Sequence, residues 1–334
     1  MTSREIVQMS LAFAGPPRIA YGMGGGFPSD IAFVRRSPAP NSRATPWTQY
    51  DGYWEMHDEW GNTWRRLENV TKGEVWKGAL EESWDLLESY EFPQTDAVEL
   101  YEGTAARCRE LHEKGLFVLG SIGWPFTIAR YLRRMEIFLA DVAAEPERVS
   151  DLLWQITRHL EKEIHRYADA GVDGIMTAED WGTQDRLLVS PACFRRLFKP
   201  CFQALCAAAH SRGLSVWLHS CGHVSEVLED WCEAGIDVCQ FDQPELHGID
   251  WLSEHFGGRM HFWCPVDIQR TLPTRDPERI ARAAEEYVQK LGAFGGGFIA
   301  GYYGSNEALG LDPEYQAIAS RAFMRAGDPA PRRG

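Results

Sequence analysis

The sequence predicts an α/β fold, a (β/α)8 TIM barrel with a β-rich N-terminal elaboration, and three observations support this prediction. After residue 94, short apolar runs alternate with amphipathic helical segments. The runs are apolar on both faces, which is typical of parallel strands that helices cover on each side. Counting along the whole chain gives eight strand candidates, and eight parallel strands favour a closed barrel over an open sheet.

The strand candidates are short runs bounded by turn residues. They are residues 17–22, a segment near 54–60, 116–122, 172–180, 214–222, 236–242, 260–267 and 296–304. Helical patterns separate most of them. Those at 146–171 and 276–295 start on a proline at or near the first helical position and end in a glycine, as helix start and stop signals require.

Residues 190–213 also predict a helix. Ser190 is expected to cap its first turn, and Pro200 is expected to kink or interrupt it, because proline lacks the N–H that the helix needs. The first helix of the fold is expected within MTSREIVQMSLAFAGPP, whose one basic residue does not suit a secretion signal.

We predict one barrel domain over residues 1–326, followed by a frayed tail at 327–334. Residues 40–92 are rich in tryptophan and charge and predict a β-rich insertion near the mouth of the barrel. A chain of 334 residues suits this architecture, since such barrels need about 250 residues or more.

Composition excludes several classes of protein. The net charge of −14 argues against nucleic-acid binding, which calls for a basic surface. Apolar runs stay short of the roughly 18 residues of a membrane span, so no membrane association is expected. Eight cysteines without paired spacing indicate reduced thiols and a cytoplasmic location. The 12% of aromatic residues suits a pocket for a flat ligand, or simply a large core.

Polar and metal-binding residues follow the predicted strands at their carboxyl ends, where barrels of this kind carry their chemistry. In chain order they are Glu179 and Asp180, His219 and Cys221, Asp242, Cys264 and Asp267, and Tyr302 and Tyr303.

The sequence WLHSCGH contains the strongest metal-binding pattern. His219 and Cys221 are two residues apart, so on a strand they share a face and both reach one Zn²⁺. Cys264 holds the corresponding position two strands later. Three such ligands with a fourth position open would make a catalytic zinc site. The alternative is that these thiols are small hydrophobic core residues.

Further residues at the same strand ends are candidates for catalysis or substrate binding. Glu179 and Asp180 would orient substrate or handle protons, or else cap the following turn. Asp267 would orient a metal ligand, or else cap its loop. The candidate substrate-binding residues are Trp181, Gln184, Asp242 and Tyr303.

Three segments resemble the uroporphyrinogen decarboxylase superfamily, and most closely its zinc-dependent corrinoid methyltransferases. They are TAEDWGTQDRLLVSPACFRRLFKP, LHSCGHVSEVLEDWCEAGIDVCQFDQP and FWCPVDIQRTLPTRDPERI. The resemblance covers roughly residues 50–325, and its His-x-Cys-Gly element is fairly specific for that branch. The fold of this family is a (β/α)8 barrel.

The resemblance implies a zinc ion held by His219, Cys221 and a more distant cysteine. The sulfur of a thiol acceptor would be deprotonated on that zinc and attack a methyl group carried on a corrinoid. The coenzyme M enzymes take their third ligand from after the last strand, where this chain reads AGYYGSN without a cysteine. Cys264 is the leading substitute, with Tyr303 or Asp242 as outside candidates.

This departure leaves the substrate open. The implied enzyme is a methyltransferase that moves a methyl group between a corrinoid protein and a small substrate. That substrate is either a thiol acceptor or a methoxylated, methylthio or methylamine donor in a demethylation system. The corrinoid (methylcobalamin) is expected on a separate partner protein, because the chain shows no Asp-x-His-x-x-Gly element. A homodimer is compatible with the sequence.

Two alternatives belong to other functional classes. One is a lyase of the uroporphyrinogen decarboxylase type, whose Met-Arg-Gln-Ala-Gly-Arg segment should stand near the end of the first strand. That place reads GMGGGFPSD, with no arginine to neutralise a polycarboxylate substrate. The other is a non-catalytic barrel that binds corrinoid or a small methylated ligand.

Overall fold

The computed structural model describes residues 1–67 and 72–328. The strands are β1 (Ala20–Gly22), β2 (Ile31–Val34), β3 (Thr48–Tyr50), β4 (Tyr53–His57), β5 (Thr63–Arg66), β6 (Glu74–Lys77), β7 (Phe117–Ser121), β8 (Gly174–Ala178), β9 (Ser215–His219), β10 (Val238–Gln240), β11 (His261–Cys264) and β12 (Phe298–Gly301). The helices are α1 (Ser3–Leu11), α2 (Leu86–Ser89), α3 (Glu102–Glu113), α4 (Pro125–Leu132), α5 (Met135–Ala144), α6 (Pro146–Ala170), α7 (Pro191–Cys193), α8 (Lys199–His210), α9 (Leu228–Ala234), α10 (Ile249–Phe256), α11 (Pro277–Leu291) and α12 (Pro313–Gly327).

Eight parallel strands form a nearly closed barrel with helices between them, which confirms the predicted fold class. Their order is β1-β12-β11-β10-β9-β8-β7-β2. The predicted β-rich elaboration is a separate antiparallel sheet, in the order β3-β4-β5-β6. It packs on the barrel's helices, for example where Trp64 meets Tyr131 of α4 edge to face at 4.7 Å.

One barrel strand was assigned wrongly from the sequence. The candidate near 54–60 is β4, which belongs to the antiparallel sheet, and the missing barrel strand is β2. The four residues of β2 do not form a fully buried run, since Phe33 is 48% exposed. The run IAFV is apolar but only four residues long, between Asp30 and Arg35, and it was not counted among the strand candidates. The other seven candidates contain barrel strands, as predicted.

The predicted helix signals operate as expected. α6 and α11 both begin on their proline, and Gly171 ends α6 with a φ of 88°, which glycine adopts without strain. Ser190 accepts a hydrogen bond from the backbone N–H of Cys193. A π-helical turn over Phe194–Phe198 interrupts the segment, and Pro200 then lies in the first turn of α8, where its missing N–H costs least.

Two apolar layers pack on the two faces of the barrel wall. The smaller layer fills the barrel interior and includes Phe117, Trp217 and Val238. Ile6 and Val7 of α1 join it, so this helix packs into the interior layer. The larger layer lies between the strands and the surrounding helices.

α12 runs to Gly327, and residues 329–334 of the predicted tail lie outside the described residues. The boundaries of the predicted 1–326 domain stay a prediction. Within residues 1–67 and 72–328, no helix combines the length and apolarity that crossing a membrane requires. All eight cysteines are free thiols.

The barrel closes between β1 and β2, a place called here the seam. Asp30 makes the connecting hydrogen bonds there, in place of a ladder of strand pairs. The Asp30 carboxylate accepts two hydrogen bonds from the Arg18 guanidinium, at 2.7 and 2.6 Å, and one from the backbone N–H of Tyr21, at 2.7 Å. The backbone N–H of Asp30 in turn donates to the Tyr21 carbonyl at 2.7 Å. Asp30 is only 1% exposed, so its partners have little access to water as a substitute.

We expect Asp30→Ala to lower the free energy of unfolding by about 3 kcal/mol, because it leaves a mostly buried guanidinium and a backbone N–H without their acceptor. Urea unfolding followed by circular dichroism measures this change. The matched control is Glu278→Ala, which removes an exposed carboxylate 3.4 Å from Arg282 and should leave stability nearly unchanged. Equal effects of the two substitutions would contradict the role of Asp30 at the seam.

Candidate metal site

The pairing of neighbouring strands determines which residues lie side by side at the carboxyl ends of the strands. His219 of β9 pairs with Gln240 of β10, and Gln240 pairs with Trp263 of β11. On the other side, His219 pairs with Ala178, the last residue of β8. Three polar or aromatic side chains therefore stand at one height, at the carboxyl ends of adjacent strands.

The direction of each side chain follows from the alternation along its strand. Trp217 belongs to the interior layer, so His219, two residues later, also faces the barrel interior. Val238 belongs to the same layer, which directs Gln240 inward as well. The predicted histidine therefore lies in the mouth of the barrel.

Asp180, His219 and Cys221, called here the metal group, offer ligand atoms that could hold a metal ion, all within 4.8 Å of one another. Cys221 Sγ lies 3.4 Å from His219 Nε2, and His219 Nε2 lies 3.6 Å from Asp180 Oδ1. Tetrahedral zinc, with bonds of about 2.0–2.3 Å, places neighbouring ligand atoms roughly 3.3–3.6 Å apart. The two distances measured from His219 Nε2 therefore fit a zinc ion. Among the described residues, no other group of histidine, cysteine and acidic side chains meets this spacing.

Two glycines bring Asp180 and Cys221 together. Gly222 has a φ of 82°, and a Cβ on it would collide with the backbone carbonyl of Gly182. A Cβ on Gly182 would lie 2.6 Å from the backbone nitrogen of His223. The loops after β8 and β9 thus touch backbone to backbone, and Asp180 Oδ1 accepts the Cys221 N–H at 2.9 Å.

A hydrogen-bond chain fixes the orientation of the histidine. His219 Nδ1 donates to the side-chain oxygen of Gln240, and the Gln240 amide nitrogen donates to Asp242 Oδ1 at 2.9 Å. Because the proton is held on Nδ1, the Nε2 lone pair points toward Cys221 and Asp180. A metal-binding histidine commonly has such a partner on its other ring nitrogen.

The electrostatics of the group favour a bound cation. Burial raises the pKa of the Cys221 thiol well above its usual value, and the negative charges of Asp180 and Asp242 raise it further. A divalent cation at this point would offset both charges and stabilise the thiolate. Arg130 of α4 lies 3.9 Å from the outer oxygen of Asp180, so one side of this carboxylate already faces a positive charge.

Cys264, the predicted third ligand, does not join the group. It follows Phe262 by two residues, and both pack in the layer between strands and helices, with Cys264 0% exposed. Its side chain therefore points away from the barrel interior, and Trp263 takes the inward position on β11. The structure therefore does not bring Cys264 together with His219 and Cys221, and its role as a metal ligand stays a prediction.

Glu179 and Trp181, predicted for catalysis and substrate binding, are both 0% exposed. The Glu179 carboxylate accepts the Thr127 N–H at 2.9 Å and the Trp181 indole N–H at 3.0 Å. Burial raises the pKa of Glu179 to about 8, against these hydrogen bonds, which lower it. The Trp181 ring stacks on Phe126 at 4.1 Å. In this structure both side chains join α4 to the end of β8 and do not line the mouth.

Asp267, Gln184 and Tyr303 lie in three different settings. Asp267 is fully buried, and its carboxylate caps its own loop, as the alternative interpretation expected. Gln184 is exposed on the loop after β8. Burial raises the pKa of the Tyr303 hydroxyl, and the nearby Asp242 and Cys221 raise it further.

The sequence reasoning missed Gln240, although the inward alternation from Val238 and its position two residues before Asp242 pointed to it. It also missed two arginines. β2 ends directly before Arg35 and Arg36, so arginine follows the second barrel strand, although none stands in GMGGGFPSD after β1. Arg36 is engaged by Glu59 and Glu163, at 2.7 and 2.8 Å.

We expect Asp267→Ala to lower the free energy of unfolding by about 3 kcal/mol and to leave metal binding unchanged. Its carboxylate accepts the backbone N–H groups of Gln269, Arg270 and Glu245, at 2.9, 2.7 and 3.1 Å, and all three would lose a charged acceptor. Denaturant unfolding and elemental analysis measure the two quantities.

Asp267→Asn is the matched control, because it keeps one side-chain oxygen as an acceptor and should lose clearly less stability. A variant Asp267→Ala with wild-type stability and reduced metal content would instead assign Asp267 to the metal site.

Comparison with known proteins gives a family and a fold. Residues 79–315 match the uroporphyrinogen decarboxylase (URO-D) family. A methyltransferase from Methanosarcina mazei has a similar structure, with a TM-score of 0.59 and 19% identity over 77% of this chain and 74% of that one. No curated protein sequence matches the chain.

Two weaker structural similarities carry no functional argument. A B12-independent methionine synthase from Shewanella sp. has a TM-score of 0.48 and 11% identity, over 97% of this chain and 86% of that one. A D-psicose 3-epimerase has a TM-score of 0.43 and 12% identity, over 68% and 83%. The family match covers more than half of the sequence, and the chain therefore belongs to the uroporphyrinogen decarboxylase family.

Proposed function

We propose that this protein is a zinc-dependent methyltransferase that moves a methyl group between a corrinoid carried by a partner protein and a small substrate. The observation that carries this proposal is the group of Asp180, His219 and Cys221 at the carboxyl ends of β8 and β9. Membership of the family and the structural similarity to an archaeal methyltransferase support it.

The donor set suits zinc with one position left for substrate. A neutral imidazole, a thiolate and a carboxylate together balance a charge of +2, and three protein ligands are typical of catalytic zinc. The side chains of Asp180 and His219 are 46% and 19% exposed, so a small molecule entering the mouth has access to the group. Asp180 takes the place that the sequence had assigned to Cys264.

When bound there, zinc supplies Lewis acidity that holds a substrate sulfur as its thiolate, or polarises a methyl-bearing heteroatom, at neutral pH. The chain's own residues do the positioning. Gln240 orients the imidazole of His219, and the Cys221 N–H orients the carboxylate of Asp180. The two loop glycines keep these groups close enough to share one ion. The partner's corrinoid would approach from the open mouth.

The decarboxylase alternative is less well supported by these contacts. A substrate with many carboxylates needs several cations that are not already neutralised, whereas of the two arginines after β2 Arg36 is paired with two glutamates and Arg35 alone is exposed. The cytoplasmic location, the choice between thiol acceptor and methylated donor, and the homodimer stay predictions.

The protein as purified should contain close to one zinc per chain, and His219→Ala and Cys221→Ala should each reduce zinc affinity by more than about 100-fold, because each removes a direct ligand. Asp180→Asn should reduce it less, since an amide oxygen remains. Competition with a chromophoric chelator measures these affinities, and the cobalamin spectrum, followed with methylcobalamin and candidate thiols or methylated donors, measures the transfer.

Cys264→Ala is the matched control, as it deletes a thiol outside the group and should keep both zinc and transfer. Loss of zinc in this variant at wild-type stability would return Cys264 to the ligand set. Zinc binding without any change in the cobalamin spectrum, with every donor and thiol, would favour the non-catalytic binding protein.

Gln240 should act through His219. We expect Gln240→Leu to weaken zinc binding by about 10–100-fold, the range found when the partner of a metal-binding histidine is lost. Gln240→Glu keeps an oxygen that accepts the Nδ1 proton, although it loses the amide that donates to Asp242, and it should bind zinc more tightly than the leucine variant. If the leucine variant binds zinc as tightly as the wild type, the hydrogen-bond chain does not support the metal.

A further inference from the structure

Arg130 of α4 is a largely buried cation beside the metal group. Its side chain is 13% exposed, and its Nε is buried without a hydrogen-bond partner among the described residues. Within the same part of the chain, Asp180 is the one acid at ion-pair distance, with its Oδ2 3.9 Å from Arg130 Nη2. A guanidinium that is withdrawn from water needs a counter-charge, so the position of Arg130 depends on this carboxylate.

The start of α4 is fastened to the end of β8, which places Arg130 next to Asp180. The backbone N–H of Thr127 donates to the buried Glu179 carboxylate at 2.9 Å, and Thr127 Oγ1 donates to the backbone carbonyl at the end of β8 at 3.0 Å. The Arg130 guanidinium also lies over the ring of Phe126, 5.4 Å from its centroid. The arginine therefore approaches Asp180 from a fixed helix and not from a loose loop.

The two oxygens of Asp180 have different surroundings. Oδ1 accepts the Cys221 N–H at 2.9 Å and lies 3.6 Å from His219 Nε2, so it belongs with the metal group. Oδ2 is turned to the other side, toward the positive charge of Arg130. The carboxylate is thus held from both ends, with one oxygen directed to the metal group and one directed away from it.

We infer that Arg130 is a positioning residue that keeps Asp180 a one-oxygen ligand, so that a metal ion held by the metal group retains an open position for substrate. This inference rests on the proposed function and concerns the coordination of its metal. Carboxylates bind metal ions through one oxygen or through both. Binding through both would supply a fourth protein donor atom, and a zinc ion that prefers four ligands would then have no position left for substrate.

This role differs in its consequences from a purely structural one. If Arg130 only supported the fold, its loss would loosen the ligands and weaken metal binding. In the role inferred here, its loss frees Oδ2 to bind the ion and removes a positive charge that repels it. Metal affinity is then maintained or increased, while the affinity of the ion for a further ligand falls.

The test uses Co²⁺ in place of zinc in the full chain, because the visible absorption of Co²⁺ changes when a ligand enters its coordination sphere. Imidazole is the probe for the open position, and it is neutral, so the Arg130 charge does not itself attract it. Arg130→Met should bind imidazole about fivefold to tenfold more weakly than the wild type, and Co²⁺ at least as tightly. Arg130→Lys keeps the positive charge and should restore the imidazole affinity.

Arg325→Met is the matched control, because it removes an arginine 3.8 Å from Glu285, in the last turn of α12 and outside the metal group. It should leave both affinities unchanged, and thermal unfolding should show that the variants are folded. Arg130→Gln removes the same charge and takes the place of the methionine variant if that variant does not fold.

Two results would overturn the inference alone: an unchanged imidazole affinity in the neutral Arg130 variants, or a reduced Co²⁺ affinity in these variants at wild-type stability. A wild-type protein that binds neither Co²⁺ nor zinc would overturn the proposed function, and this inference with it. Metal content of the wild type, measured first, therefore separates the two failures.

Discussion

The parallel pairing of β8, β9, β10 and β11 is the constraint on which the rest of the candidate site depends. It aligns Ala178, His219, Gln240 and Trp263 at the carboxyl ends of four neighbouring strands. Because side chains alternate along a strand, this register also decides which residues face the interior. A shift of one residue in β9 would turn His219 toward the helices and remove the metal group.

Close contacts between the loops after the strands bring the side chains of the metal group together. The backbones of Gly182 and Gly222 approach so closely that the loops after β8 and β9 behave as one unit. That contact brings the carboxylate of Asp180 to a thiol and an imidazole, so a metal ion bound there would have one sulfur, one nitrogen and one oxygen ligand.

The two sides of the mouth differ in chemistry. One side carries Asp180, His219 and Cys221, and the other carries Phe33 and Trp263, whose rings are stacked. Sites for small molecules commonly combine an apolar wall with a few polar groups that fix orientation.

The sequence by itself determined the barrel, seven of its eight strands, and the pairing of His219 with Cys221, because these follow from local periodicity and spacing. Only the tertiary structure decided the third member of the metal group. Asp180 and Cys264 both stand at strand ends, but the face that each side chain takes depends on strand register and on the contact between two distant loops. The same holds for β2: its apolar run IAFV is only four residues long, and its place beside β1 follows from closure of the barrel, which no local pattern encodes.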